Sequence, residues 1–267
     1  MSIYIGAGST AHKMSKLYVG VDNTARQVQK VYVGVGGQAR LVYQSGQPIG
    51  GLAVGSTVKI KVNGASKYFI VVQQGNPNTS TYDSSCNGTW LLMKYIYENR
   101  AWNSSNKNDY ANSTIHSYLN STFLNLFESN IKNAIKQVKI PYRWGDGGVA
   151  QHVFSGSNGL STKIFLLSAT ETGFSFSYMP SGEGAELAYF EGCADNSSDS
   201  KRSAYLNGSA ASWWLRSPYC YSQSTLTLYV NSDGDWGNGY STDSHGIRPA
   251  LILPSTTLVD ESGNVIG

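Results

Sequence analysis

Alternation of apolar and polar positions opens this chain, and the alternation is itself repeated. Tyr4, Tyr18 and Tyr32 are spaced by fourteen, as are Gly6, Gly20 and Gly34, and as are Ala11, Ala25 and Ala39. The clearest copies read KLYVGVDNTARQV (16–28) and KVYVGVGGQARLV (30–42). Each is an alternating run, a turn at Asp22-Asn23 or Gly36-Gly37, and a second run, which predicts successive β-hairpins. A lone two-stranded hairpin is marginal in water, so the three need each other or another chain. We read them as an assembly or attachment module over residues 1–45. The turn-rich stretch Gln44 to Gly51 then reads as a linker.

Beyond it, Thr57 to Val62 alternates strictly, Asn63-Gly64 turns, and Tyr68 to Val72 is apolar, which predicts a hairpin. Further strands are expected at Trp90–Tyr97, Lys163–Leu167, Phe174–Tyr178, Ser212–Arg216, Leu226–Val230 and Ile247–Leu253. Two helices interrupt them. Ile115, Leu119, Phe123 and Phe127 recur every four residues after a cap at Asn112 or Ser113. Ile131, Ala134, Ile135 and Val138 line a second helix, capped by Ser129 and stopped by Pro141. Helices between strand groups, without βαβα order, predict an α+β class for residues 46–267.

Composition narrows the function. Charged residues make up only 14% of the chain and the net charge is +3, with no Lys/Arg run, so the basic stripe that phosphate binding requires is missing. No apolar run approaches the roughly 18 residues of a membrane span, and the first residues do not read as a signal peptide. Cys86, Cys193 and Cys220 are too few and too scattered for a disulfide framework or a zinc site.

The last third of the chain carries WWLRSP (213–218), a polar interval, and GIRPALIL (246–253), preceded by KIFLLSATE (163–171) and IHSYLNSTF (115–123). These phrases resemble a family of C-type-lectin-fold domains of phages and gut bacteria, which includes the variable proteins of diversity-generating retroelements and a phage tropism determinant. The fourteen-residue repeat is similar to N-terminal segments of phage tail proteins that carry such domains. The resemblance implies a C-type-lectin-like fold in which the two motifs are buried framework and the interval is displayed. Trp213, Trp214, Arg216 and Arg248 are assigned to that framework; each arginine then needs a carboxylate or carbonyl partner.

The interval from Tyr219 to His245 is rich in Tyr, Ser, Thr, Asn, Asp and Gly, a mixture that suits a paratope: rigid aromatic area beside adaptable hydrogen-bonding groups. It contains no Lys, Glu, Met or Arg. The resemblance implies adenine-directed codon diversification, whose products exclude Lys, Glu, Met, Gln and Trp, so Gln223 and Trp236 would be fixed positions. Contact residues are expected at Tyr219, Tyr221, Gln223, Thr227, Tyr229, Asn231, Asp235, Trp236, Asn238, Tyr240, Thr242, Asp243 and His245. Period two turns Leu226, Leu228 and Val230 inward and Thr227 and Tyr229 outward.

Catalysis is not expected. The fold implied by the resemblance is shared with formylglycine-generating enzymes, but their chemistry looks to use paired cysteines, and only Cys220 lies in the corresponding region. Asp233-Gly234-Asp235 lacks the glutamate of a calcium loop and reads as a polar turn. No cofactor or metal is expected. The expectation is a host-recognition tail protein, made in the bacterial cytoplasm and carried on the virion. Its partners would be a bacterial surface receptor, protein or glycan, and other tail proteins, in a homotrimer by resemblance. The alternative is a structural tail component that touches no receptor.

Overall fold

A computed structural model describes residues 4–7, 10–13, 17–28, 30–143, 152–193, 195, 197–220 and 224–266. The repeat folds as three hairpins: Tyr4–Ala7 with Thr10–Lys13, Tyr18–Val21 with Thr24–Gln27, and Lys30–Val35 with Gln38–Gln44. Asp22 and Asn23 (φ 49° and 59°) and Gly36 and Gly37 (φ 59° and 78°) take the left-handed backbone of a two-residue hairpin turn. Among the described residues each hairpin's strands pair only with each other. Tyr18, Val19, Val21, Tyr32, Val33 and Val35 remain exposed.

The stretch after the third hairpin, expected to be a linker, is instead seated on the body. Tyr43, Ser45 and Ile49 are buried. Gln47–Pro48 pairs with Leu258–Val259, Ile49 N–H donates to Thr257 O (2.7 Å), and Gly50 N–H donates to Ser255 O (2.9 Å).

Two five-stranded sheets form the body. The first runs Ile164–Phe165, Ala250–Leu253, Thr89–Met93, Ala65–Gln74 and Thr57–Val62 in spatial order, all antiparallel. The second runs Asn99–Ala101, Ser244–Gly246, Trp213–Pro218, Leu226–Val230 and Trp236–Tyr240. Its one parallel contact sets Trp213 beside Gly246, so both ends of the polar interval enter adjacent strands. Asn63-Gly64 makes the expected turn with φ 51° and 72°. A helical stretch over 114–126 lays Ile115, Leu119 and Phe123 into the core, and the Ser113 hydroxyl caps it by accepting from His116 N–H (3.2 Å).

The α+β, C-type-lectin-like class is corrected here. Strand accounts for 40% of the chain and helix for 12%, the longest helix having 13 residues, so the fold is predominantly β. The second helix covers only Ser129–Ala134, and Glu128, not Ser129, holds the cap position. Its apolar spacing continues past residue 134, but the backbone does not. Lys136 N–H donates to Ile252 O (2.9 Å), and Val138–Ile140 becomes a strand paired with Leu160–Thr162. Pairing with distant backbone outweighs the weak propensity of one more helical turn. Phe174–Tyr178 alternates but finds no strand partner among the described residues. Phe174 is buried under the Arg202 guanidinium (3.9 Å), and Phe176 stacks on Trp236.

The framework arginines are buried with the partners expected of them. Arg216 donates to both Glu171 oxygens (2.5 and 2.7 Å) and to the carbonyls of Pro141, Leu166 and Glu183. Tyr82 donates to Glu171 (2.8 Å), while Glu183 accepts from Arg143 N–H (3.2 Å) and from the Ser217 hydroxyl. Arg248 donates to Met93 O (2.9 Å) and lies 4.9 Å from the Trp213 ring centre.

Candidate functional site

The polar interval unrolls along the outer half of the second sheet. After Leu226–Val230 the chain turns at 231–235: Asn231 N–H donates to Asp235 O (2.7 Å), and the Asp233 carboxylate accepts from Asp235 N–H (3.1 Å). Gly234 is obligatory in that turn, with φ 89° and only 2.0 Å between a notional Cβ and Asp199 O. Trp236–Tyr240 then returns antiparallel, with Tyr229 opposite Gly237. A second turn follows, in which the Asp243 carboxylate accepts from Tyr240 N–H (2.9 Å).

One aromatic knot stiffens this surface. The Tyr229 and His245 rings stack at 4.2 Å and 21°, and both meet Trp214 edge-on, at 5.8 and 4.4 Å. His245 Nδ1 lies 2.5 Å from the Ser212 hydroxyl. Burial pushes the His245 pKa below its ordinary value, while the Asp243 charge pulls it upward. An imidazole so held is neutral at pH 7 and acts as a clamp. Tyr229 lies across Gly237, where a Cβ would fall 2.4 Å from its Cε2.

The expected contact residues that are described divide into three groups. Tyr240 (53% exposed), Thr242 and Asp243 stand in solvent on the second turn. Tyr219, Tyr229, Asn231, Asp235, Trp236, Asn238 and His245 are half-buried, Asn231 and Asp235 partly spent on the Trp236 backbone. Thr227 is fully buried, which corrects its expected outward face. The two-residue period is kept, but both faces of this strand are covered, so its parity selects no exposed side. Tyr221 and Gln223 lie outside the described residues.

Sequence reasoning missed other groups beside this surface. Phe176 stacks on Trp236 (4.3 Å, 18°), and Tyr178 meets Tyr219 (5.7 Å). Arg100 is the register partner of His245 across the sheet. Its guanidinium lies 3.6 Å over the Tyr118 ring and donates through Nε and Nη2 to one Glu98 oxygen (3.1 and 2.9 Å). No local pattern marks Arg100, because sheet pairing brings it beside His245 from more than a hundred residues away, and Phe176 and Tyr178 reach their partners from a segment that forms no strand.

Among the described residues no group of three or more His, Cys, Asp or Glu side chains could hold a metal. Cys86, Cys193 and Cys220 are buried and form no disulfide among the described residues. No helix among those residues is long and apolar enough to cross a membrane.

No curated protein and no solved structure matches the chain. Residues 87–255 match a family described as a domain of unknown function, DUF6273. The matched span holds the whole second sheet and three of the five strands of the first, leaving out the Thr57–Gln74 hairpin that completes it. With well over half its length matched, the chain belongs to the DUF6273 family.

Proposed function

We propose that this chain is a receptor-binding protein of a phage or prophage tail, carried on the virion and displaying the 219–245 interval to a bacterial surface. The observation that carries the reading is the contrast in burial along this part of the chain. Trp213 to Ser217 and Ile247 to Leu253 are sealed, while the turn at 240–244 between them projects Tyr240, Thr242 and Asp243. A rigid frame beneath polar, tyrosine-bearing turns lowers the entropic cost of binding. The resemblance of WWLRSP and GIRPALIL to phage-borne variable proteins supports the same reading. The exposed Tyr and Val rows of the hairpins suit docking to other tail proteins or to sister chains, and a homotrimer would add avidity to weak sites.

The test is binding of the fluorescently labelled full chain to candidate host cells. Tyr240→Ala with Thr242→Lys should abolish binding while leaving the unfolding midpoint within error of the parent. Retained binding would instead favour a structural tail component.

A further inference from the structure

Beside the interval, Asn99, Arg100, Ala101, Ser104, Thr114 and Ser244 line an open cleft of about 550 Å³. Its walls are fixed by hydrogen bonds. Asn103 N–H donates to Ser241 O (2.8 Å), Ser104 N–H donates to Thr114 Oγ1 (3.0 Å), and the Ser241 hydroxyl donates to Asn106 Oδ1 (3.3 Å). The two bonds to Ser241 join the 103–106 segment to the turn that carries Tyr240, and the third ties that segment to Thr114. The cleft therefore opens against the surface already assigned to receptor contact, though Asn99 to Thr114 lie outside the interval itself.

The chemistry of the lining is specific. Its one aliphatic side chain is Ala101; the rest are amide, hydroxyl and guanidinium groups. The volume is that of a small-molecule site, but the usual apolar walls are missing. Arg100 is held rigid by Tyr118 below and Glu98 beside it, with the pair's side chains 39% and 36% exposed. Its planar fork is pre-ordered at little further entropic cost. Glu98 balances its charge, so the site presents donors and acceptors with no net attraction for an anion. A solute with many hydroxyls and no charge satisfies such a lining.

We propose that this cleft is a subsite for a neutral saccharide, so that the receptor is a glycan and Arg100 its positioning anchor. The inference rests on the receptor-binding reading and names its ligand class.

The experiment titrates the purified full chain with D-glucose, D-galactose, D-mannose and N-acetyl-D-glucosamine, with sodium D-glucuronate as the charged comparison. Calorimetry and ligand-observed NMR provide the readouts. At least one neutral sugar should bind saturably in the millimolar range. Ser244→Trp, which fills the cleft from an exposed position, and Arg100→Met should each weaken it by about tenfold or more at an unchanged unfolding midpoint. Should Arg100→Met fail to fold, Ser244→Trp alone decides. The inference is overturned if none of the four neutral sugars binds, if Ser244→Trp binds as well as the parent, or if glucuronate binds more tightly than every neutral sugar. Cells separate it from the reading beneath it. Cell binding without sugar binding sinks only the saccharide subsite, whereas sugar binding in the cleft without cell binding sinks only the tail-receptor role.

Discussion

Gly237→Ala isolates the aromatic knot from every other feature of the surface. The added methyl would lie 2.4, 2.6 and 2.8 Å from Tyr229 Cε2, Cζ and Oη. Gly237 is not among the glycines with positive φ, so alanine brings no backbone strain and the clash is the whole penalty. Tyr229 cannot swing aside cheaply, because His245 stacks on it at 4.2 Å and Trp214 closes its edge. Overpacking of this kind costs about 1–3 kcal/mol. Replacing a strand glycine returns about 0.5 kcal/mol, which leaves a net loss of about 0.5–2.5 kcal/mol. In a chain of this length that lowers Tm by roughly 1–10 °C. Urea denaturation of the parent, the single variant, Tyr229→Ala and the double variant measures it directly. With the ring gone the methyl has room, so Gly237→Ala should be neutral or stabilising in the Tyr229→Ala background, giving a coupling of about 1–3 kcal/mol. Additive single and double variants would show that Tyr229 does not lie across Gly237, and the rigid-surface argument would lose its footing.

The buried ion network gives two further tests. Arg216→Met strands the Glu171 carboxylate without its cation in a site where both side chains are 0% exposed. Removing one member of a buried pair costs about 3–5 kcal/mol, so this variant should express poorly or unfold well below the parent in urea; a loss under about 1 kcal/mol would contradict the burial. Glu183 has its pKa pushed up to about 7, mainly by burial and against the pull of Arg216 and Ser217. A folded-state value above the unfolded one means that the folded chain holds the extra proton. This group's contribution is therefore complete below the unfolded carboxylate range, near pH 4.5, and fades as pH rises through about 7. Urea midpoints should show a loss on the order of 2 kcal/mol between pH 5 and pH 8 in the parent, and Glu183→Gln should flatten it. An equal slope in the variant would assign the dependence to another group.

What was legible in the chain was local. The left-handed Asn63-Gly64, Asp22-Asn23 and Gly36-Gly37 pairs announced their hairpins, and the four-residue recurrence from Ile115 to Phe127 announced a buried helix face. Trp213, Trp214, Arg216 and Arg248 declared themselves as framework, since such bulk and charge beside apolar neighbours must be packed and paired. What was not legible depends on partners far along the chain. Nothing near Lys136 shows that its N–H will be taken by Ile252, which ends the second helix early; the class is β because strand outweighs helix by 40% to 12%. Nothing near Ile49 shows that residues 255–259 will receive it and turn an expected linker into a seat. Thr227 failed for a different reason: period two tells which residues share a face, not whether that face is covered. Arg100 reached the surface only through its pairing with His245.

The seat at residues 47–51 has a mechanical consequence. Any pull applied through the hairpins enters the body there and passes first into the 255–259 segment. Val265 N–H and Lys59 O (2.9 Å), with Lys59 N–H and Gly263 O (2.7 Å), then hand it to the edge of the first sheet. The second sheet, which carries the displayed turns and the cleft, lies off that load path. A pull on the hairpins would strain the mount and leave the turns at 231–235 and 240–244 at rest.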